Sequence, residues 1–311
     1  MIIARGLEET ESLRGGIVSI GNFDGVHRGH RSILAVLIGR ARSLGIPAVV
    51  MTFDPHPIAL LRPSVAPTPL VTPARRLELL KQCGVDAVLV YPTDRAFLEL
   101  SPEEFFRGVV QERLAARGLV EGSNFCFGRD RAGTIGRLQG LCTAVGLTLE
   151  VIAPLAVEGR TVSSSEIRRL IAGGEVALGG KLLGEPYSLS GRVVRGAARG
   201  RTIGFPTANL AEISTILPGE GVYAAGSVID GVSYAAAINV GGNPTFADHQ
   251  RKVEVHLLDY QGDLYDRWID VEFLEKLRDT VPFANVEALM RQLQQDVSAA
   301  RQIVARRASG D

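Results

Sequence analysis

Between residues 15 and about 175, short apolar runs alternate along the chain with longer stretches of helical spacing. The runs GIVSIGNF, IPAVVMTF, DAVLVYP and LTLEVIAP lack a regular alternation, which is typical of parallel strands covered on both faces. The stretches between them, such as RSILAVLIGRARSLG, place apolar residues three and four positions apart and predict helices. Strands and helices in alternation predict an α/β doubly wound, Rossmann-like N-terminal domain.

After about residue 184 the pattern changes to short β-type runs separated by turns. The dipeptide Asp230-Gly231 between two such runs predicts a tight hairpin, because both residues tolerate a positive φ. Consecutive short strands predict a C-terminal antiparallel β-barrel. The last stretch has apolar residues on one helical stripe with Asn285 as its N-cap, and predicts a helix packed on the barrel.

The Gly-rich stretch IAGGEVALGGKLLGEP lies between the two patterns. We therefore expect one domain over residues 1–175, a linker over residues 176–184 and a second domain over residues 185–311. The stretch DPHPIALLRPSVAPTPLVTP is interrupted by prolines, and we expect an irregular loop there that covers a site.

Charge and cysteine content limit the class of protein. Lys plus Arg and Asp plus Glu number 34 each, so no net field attracts nucleic acid or an anionic membrane. Three widely spaced cysteines, Cys83, Cys126 and Cys142, predict reduced, buried thiols. We see no signal peptide and no apolar run near the roughly 20 residues of a membrane helix, and expect a cytoplasmic protein. The sequence leaves the oligomeric state open.

Two of the five histidines, His27 and His30, lie at the predicted start of the first helix. A helix N-terminus favours phosphate, and Gly21, Gly25 and Gly29 would let the backbone approach a ligand. The motif predicts a phosphate site at the carboxyl end of the first strand. A turn with two capping histidines is the simpler interpretation of the same residues. A zinc site formed by these histidines with Asp54 and His56 is a further alternative, but it has no firm fourth ligand.

The segment TVSSSEIRRL begins another predicted helix. Ser163 and Glu166 have the spacing of a capping box, which is a sufficient structural explanation. The serines with Arg168 and Arg169 also predict a second phosphate cradle, and the two interpretations are compatible.

The motifs GNFDGVHRGH, TFDPHP, GSNFCFGRDRAG and SSSEIRR, in this order, resemble the adenylyltransferase half of the bacterial bifunctional riboflavin kinase/FAD synthetases. In the second half, GRTIGFPTANL, INVGGNPTF, VEVHLLDYQGDLY and LRD resemble the riboflavin kinase module of the same family. The resemblance runs from about residue 15 to about residue 305. It implies a nucleotidyltransferase fold in the first half and two ATP-dependent activities. Riboflavin would be phosphorylated to FMN, and adenylyl transfer from ATP to FMN would then give FAD and pyrophosphate.

The resemblance also implies the residues of each site. In the first half it assigns ATP binding to Gly21, Asn22, Phe23, Asp24, Gly25, His27, Gly29 and His30, with Ser164, Ser165 and Arg168 on the pyrophosphate side. Asp54, His56 and Asn124 would line the crevice shared by FMN and ATP. In the second half Gly200 and Gly204 would form a loop over phosphates, and Thr207 and Asn209 would be ligands of Mg²⁺, a hard cation.

Glu254 is the general base that the resemblance implies, and Arg278 and Asp279 would contact the flavin. Glu254 alternates with Val253 and Val255, so its carboxylate is expected on the opposite face of the strand. Thr134, Ser165 and Asp266 depart from the family pattern, at positions expected to affect loop conformation and flavin affinity.

Two other functions fit part of these motifs. The first is a different His-x-Gly-His nucleotidyltransferase fused to a passive flavin-binding barrel. The second is a non-catalytic flavin-binding or RNA-binding barrel, and the neutral charge balance argues against RNA.

Overall fold

The computed structural model describes residues 1–196, 199–243 and 248–309. The chain forms two units, the first made of Met1–Pro67 with Thr72–Val162, the second of Thr68–Val71 with Ser163–Asp311. Residues 244–246 of the predicted INVGGNPTF motif lie outside the described residues.

Parallel strands build the first unit. They are β1 (Ile2–Arg5), β2 (Ile17–Ile20), β3 (Ala48–Phe53), β4 (Ala87–Tyr91), β5 (Gly118–Gly122) and β6 (Thr148–Ile152), in the sheet order β1-β4-β3-β2-β5-β6. A small hairpin follows, made of β7 (Ala156–Val157) and β8 (Arg160–Thr161). The predicted doubly wound sheet is confirmed, and β2, β3, β4 and β6 correspond to the four predicted runs.

Helices connect these strands. They are α1 (Arg28–Leu44), α2 (Pro57–Leu61), α3 (Pro73–Gln82), α4 (Arg95–Leu98), α5 (Pro102–Phe105) and α6 (Ile135–Ala144), with a π-helical stretch over Phe106–Arg113. Single 3₁₀ turns occur at Leu7–Glu9, Glu11–Leu13, Pro63–Val65 and Arg129–Arg131. The proline-interrupted stretch is therefore not wholly irregular, because it contains α2 and one 3₁₀ turn.

The sheet reverses its strand order at β2, which has β3 on one side and β5 on the other. Helix α1 follows β2 and buries Leu34, Leu37, Ile38 and Ala41. In open α/β sheets a ligand binds outside the carboxyl ends of the strands at such a switch point. The ends of β2 and β5 are therefore the expected place for a site, and the loop from β2 into α1 lies there.

The second unit is a closed antiparallel barrel. Its strands are β9 (Tyr187–Val194), β10 (Ala208–Ala211), β11 (Gly221–Ile229), β12 (Val232–Asn243), β13 (Asp248–Leu257) and β14 (Trp268–Arg278), in the order β10-β13-β12-β11-β14-β9. Its helices are α7 (Ser164–Ala172), α8 (Val176–Leu183), α9 (Arg199–Thr202) and α10 (Val286–Ser309). The predicted barrel with a C-terminal helix is confirmed.

Local signals of the sequence agree with this unit at two points. Asp230 and Gly231 have φ values of 52° and 81° and join β11 to β12, as a type I′ hairpin requires. The Asn285 side chain accepts a hydrogen bond from the Ala288 N–H at 2.8 Å and caps α10.

The predicted linker has regular structure instead. Residues 176–183 form α8, which buries Val176, Leu182 and Leu183 and packs against α7 and the barrel. The repeated glycines do not break this helix, because Gly179 and Gly180 are buried where an added side chain would meet Ile171 and Pro186.

The cysteines are free thiols, but only Cys142 is buried, and Cys83 and Cys126 are partly exposed. The expectation that all three are buried was wrong for these two, which lie at the end of α3 and in the turn after β5. Within the described residues, no helix is long and apolar enough to cross a membrane.

Candidate active sites

The loop from β2 into α1 has an unusual backbone. Phe23, Gly25 and Val26 have φ values of 48°, 83° and 38°. A positive φ is rare for a β-branched residue, and such residues persist only where the surrounding structure determines them. Val26 is fully buried, and its N–H donates to Phe23 O at 3.1 Å. The tight loop therefore has a conformation that its neighbours must hold in place.

The two histidines form a stacked pair at the start of α1. Their ring centroids are 3.6 Å apart, and His27 Nδ1 accepts a hydrogen bond from the His30 backbone N–H at 3.3 Å. Because Nδ1 of His27 is an acceptor, its neutral ring carries the proton on Nε2. His27 can therefore cap α1 through Nδ1 and still donate a hydrogen bond to a ligand through Nε2.

His30 is held neutral by its surroundings. Part of its surface stays exposed, but its Nδ1 is buried and has no hydrogen-bond partner. Burial lowers the pKa of His30 well below its usual value, and the nearby His27 lowers this pKa further. Because a charge on His27 would repel a charge on the stacked His30 ring, the pair adds to the effect of burial in keeping His30 uncharged.

Glycine positions in this loop explain part of its geometry. A Cβ on Gly29 would lie 3.3 Å from the His27 ring, and a Cβ on Gly21 would lie 3.3 Å from the Phe23 ring. These two glycines make room for side chains of the loop itself.

Asn22 Oδ1 is another buried polar atom without a hydrogen-bond partner in the described structure. Most buried polar groups in folded proteins are paired, so Asn22 Oδ1 is a candidate contact for a ligand at this switch point. Asp24 is also buried here. The loop thus carries Asn22, Asp24, His27 and His30, and their binding of ATP stays a prediction.

Asp54 and His56 follow β3 in the same unit and are half buried. His56 Nδ1 accepts from the Ile58 N–H at 3.1 Å and caps α2, which is a structural role. Asn124 is exposed in the turn after β5, the strand beside β2. The described residues contain no group of three or more His, Cys, Asp or Glu side chains that could hold a metal ion, so the zinc alternative has no support.

The sequence did not identify Arg76 as a residue of this region. Its side chain extends from α3, where Nη1 donates to Asn22 O at 3.0 Å and Nη2 to Phe53 O at 3.0 Å. Leu79 and Leu80, three and four residues later, share the buried face of α3 with Arg76. This spacing is the one sign in the sequence that Arg76 is buried. A charged residue on an apolar stripe marks a buried and paired group.

Glu121 is a second buried residue that the sequence did not indicate. Its Oε1 accepts a hydrogen bond from the Ile20 N–H at 2.7 Å, between the ends of β2 and β5. Burial raises its pKa well above the usual value, and the hydrogen bond from Ile20 opposes this shift.

The second predicted phosphate cradle lies in the second unit, at the start of α7. The Ser163 side chain accepts from the Glu166 N–H at 3.2 Å, while the Glu166 carboxylate pairs with Arg169 at 2.9 Å. Arg168 Nε donates to Thr68 O at 2.8 Å. Ser164 is half buried and Ser165 is exposed.

A cavity of about 480 Å³ opens at β10 in the second unit. Polar residues in its lining include Arg201, Thr207, Asn209, Tyr260, Asp263 and Tyr265. The preceding loop turns at Gly204, which has a φ of 86°. A Cβ on Gly200 would lie only 2.2 Å from Phe205 O, so this glycine permits the close turn. Thr207 and Asn209 thus border a volume of the size of small-molecule sites.

Glu254 is placed by strand register beside the same residues. It lies directly opposite Asn209 on β10 and opposite Asn239 on β12. Directly opposed residues of antiparallel strands project to the same face. Val253 and Val255 are each 1% exposed, and Glu254 is half buried, so the expected alternation is present. The row Asn239–Glu254–Asn209 therefore lies on the outer face of the barrel, although Glu254 is not among the residues that line the cavity.

His256, two residues after Glu254 on β13, has a structural contact. Its Nδ1 lies 2.7 Å from Pro206 O, and its ring contacts that of Phe205. It therefore fastens the segment that carries Thr207 and Asn209 to the strand that carries Glu254.

Arg278 and Asp279 have structural partners. Arg278 Nη2 and Nε contact the Asp296 carboxylate at 2.8 and 3.0 Å, and Asp296 is 3% exposed. Asp279 accepts from Lys276 Nζ at 2.6 Å and is exposed. The Arg278 fork thus joins the end of β14 to α10. Asp266, at a departure from the family pattern, has a φ of 64°, a value that glycine adopts more readily.

Comparisons with known proteins cover both units. The family model for FAD synthetase matches residues 9–166, and the model for riboflavin kinase matches residues 183–304. A bifunctional riboflavin kinase/FMN adenylyltransferase of Pseudomonas fluorescens is 40% identical over 98% of this chain and 98% of its own length. One of Escherichia coli K12 is 38% identical over 93% of this chain and 92% of its own length.

A solved structure is also similar over nearly the full chain. It is described as a macrolide-efflux protein from Streptococcus pneumoniae, and it is 32% identical with a TM-score of 0.86. The similarity covers 97% of this chain and 99% of that one.

Proposed function

Since the chain belongs to the bifunctional riboflavin kinase/FMN adenylyltransferase family, we propose that it converts riboflavin to FMN and FMN to FAD, with one active site in each unit. Adenylyl transfer takes place in the first unit and phosphorylation in the second. Riboflavin, FMN and ATP are the small molecules that it binds.

In adenylyl transfer, a phosphate oxygen of FMN attacks the α-phosphorus of ATP, and the bond to pyrophosphate breaks. No protein nucleophile takes part, so the chain contributes position and charge stabilisation. The loop from Gly21 to Gly29 and the N-terminus of α1 hold the nucleotide phosphates. The stacked pair supports this role, because His27 is a neutral donor at Nε2 and the buried Nδ1 of His30 lacks a partner.

The other residues that the sequence assigns to adenylyl transfer are part of this proposal. The assignment of Ser164, Ser165 and Arg168 to the pyrophosphate side stays a prediction of the resemblance, because these residues lie in the second unit, at the start of α7. Asp54, His56 and Asn124 line the crevice for FMN, which is supported by their places after β3 and β5, the two neighbours of β2 in the sheet.

In phosphorylation, the 5′-hydroxyl of riboflavin attacks the γ-phosphorus of ATP, and ADP leaves. Glu254 accepts the hydroxyl proton and orients the oxygen. Glu254 on β13 lies directly opposite Asn209 on β10, which supports this role. Gly200 and Gly204 permit the turns of the loop over the phosphates, and His256 holds that loop on β13 through Pro206.

Thr207 and Asn209 would hold Mg²⁺ in this unit. Both offer neutral oxygen atoms at the edge of the cavity, which suits a hard cation that keeps most of its ligands from water and phosphate. Bound there, the ion would offset the negative charge of the ATP phosphates. Arg278 and Asp279 stay the candidate flavin contacts, and Arg278 also positions the end of β14 through Asp296.

The observation that carries this proposal is the match of two different family models along one chain, FAD synthetase over residues 9–166 and riboflavin kinase over residues 183–304. The direct test incubates the purified protein with riboflavin, ATP and MgCl₂ and separates the flavins by chromatography. FMN should appear first and FAD second. Formation of neither flavin would overturn the proposal, and FMN without FAD would overturn its first-unit half.

A further inference from the structure

Arg76 joins two loops of the first unit that start from different strands. Its Nη1 contacts the carbonyl of Asn22, in the loop after β2, and its Nη2 contacts the carbonyl of Phe53, at the end of β3. The Asn22 carbonyl also accepts from Thr52 Oγ1 at 3.1 Å. A planar guanidinium is suited to such a fork, because its donors have a fixed separation.

The guanidinium is buried at a position where a charge is costly. Arg76 is 9% exposed, and its Nε is buried without a hydrogen-bond partner in the described structure. Burial lowers its pKa, and the nearby carboxylates of Asp54 and Asp24 raise it. Moving a charge from water into the protein interior costs considerable free energy. We therefore expect that a buried arginine at this position has a function.

The loop that Arg76 contacts is the one with the unfavourable backbone. Asn22 directly precedes Phe23, whose φ is 48°, and Val26 follows with a φ of 38°. Each such residue is unfavourable in this conformation and requires support from its surroundings. Two donors on the Asn22 carbonyl give that support, and one of them is Arg76.

We propose that Arg76 is a positioning residue for adenylyl transfer, whose guanidinium fork holds the Asn22 loop and the end of β3 at a fixed separation. This inference rests on the proposed function of the first unit. The Asn22 loop carries the groups for the ATP phosphates, and the end of β3 leads directly into Asp54 and His56. The fork thus sets the distance between the donor side and the acceptor side of the reaction.

The test compares Arg76→Met with Arg76→Lys in the full-length protein, with steady-state kinetics of FMN-to-FAD conversion. Met removes charge and donors, and we expect kcat to fall roughly 10²-fold, because a displacement of about 1 Å has this effect on positioned reactants. We expect KM for ATP and FMN to change less than about threefold, since most ground-state contacts persist. Lys keeps the charge but not the planar fork, so kcat should fall only about tenfold.

Three controls accompany these variants. Arg75→Met changes the neighbouring arginine, which pairs with Glu78 on the exposed face of α3, and should leave both activities unchanged. FMN formation from riboflavin in each variant reports on the second unit. His30→Ala in the same assay tests the proposed site itself, and normal FAD formation in that variant would overturn the site assignment whatever Arg76 does.

A normal kcat in folded Arg76→Met would overturn the role of Arg76, and so would a defect confined to KM. If Arg76→Met does not fold, Arg76→Lys decides the question alone. A wild-type kcat in Arg76→Lys would show that the fork is not needed, and a tenfold loss with unchanged KM would support it.

Discussion

The imidazole rings of His27 and His30 stack with their centroids 3.6 Å apart, and His27 accepts the backbone N–H of His30. His27 therefore caps α1. The His30 ring lies against the His27 ring, and its buried Nδ1 has no hydrogen-bond partner in the described structure. This arrangement places two neutral rings at the end of β2, where the sheet reverses its strand order. Transition-state charge on a phosphate is the feature that such neutral donors would stabilise.

His30→Ala should reduce FMN-to-FAD conversion about 10²–10³-fold, since this is the usual effect of removing one donor to transition-state charge. Backbone N–H groups of α1 would still contact phosphate, so some activity should remain. Flavin chromatography from FMN and ATP measures the loss. Arg28→Ala, at an exposed side chain of the same turn, is the matched control. A normal FAD rate in a folded His30→Ala protein would contradict the assignment.

His30 should make the first unit less stable as the pH falls below about 6.5, while Glu121, whose pKa is raised by burial, contributes the opposite dependence. The unfolded His30 has a pKa near 6.5, and burial lowers its pKa in the folded state. Below pH 6.5 His30 therefore binds more protons in the unfolded chain than in the folded one, and its contribution to the free energy of unfolding falls as pH falls. The slope from one group is at most about 1.4 kcal/mol per pH unit.

His30→Gln should remove the contribution of His30 below about pH 6.5 and leave the dependence that the other groups produce. Denaturant unfolding of both proteins, followed by a probe in the first unit, measures the two slopes. Equal slopes in wild type and variant would show that His30 is not held neutral by the fold.

Glu254→Gln should lower FMN production about 10²–10⁴-fold, because Gln keeps the size of the side chain but cannot accept the hydroxyl proton. FMN supplied from outside should still become FAD at the normal rate. The neighbouring Val255→Ala points to the barrel interior and should cost roughly 1–3 kcal/mol of stability while FMN production persists. Normal FMN production in Glu254→Gln would place the base elsewhere.

A fragment of residues 163–311 should be more stable than one of residues 185–311. The shorter fragment lacks α7 and α8, and so loses the burial of Val176, Leu182 and Leu183, each worth roughly 1.5–3 kcal/mol. Thermal unfolding of the two fragments compares them directly. Equal melting temperatures would mean that α8 is a linker in energetic terms, as the glycines first suggested.

The sequence predicted those features that depend on local patterns. The hairpin at Asp230-Gly231, the Asn285 cap and the histidine pair each depend on residues close together in the chain. Helix α8 was not expected, because its glycines break helices in isolation and are tolerated here only through tertiary packing. The roles of Arg76 and Asp296 were not predictable either. Their partners lie 54 and 18 residues away, and a single sequence carries no record of such pairs.

The central claim is that two independent sites make FAD in sequence through free FMN. The most direct measurement mixes His30→Ala with Glu254→Gln and supplies only riboflavin, ATP and MgCl₂. Each variant alone should form little FAD, whereas the mixture should form it well, because FMN made by the first protein is adenylylated by the second. A mixture that forms no more FAD than the separate variants, although each retains its remaining activity, would contradict the account.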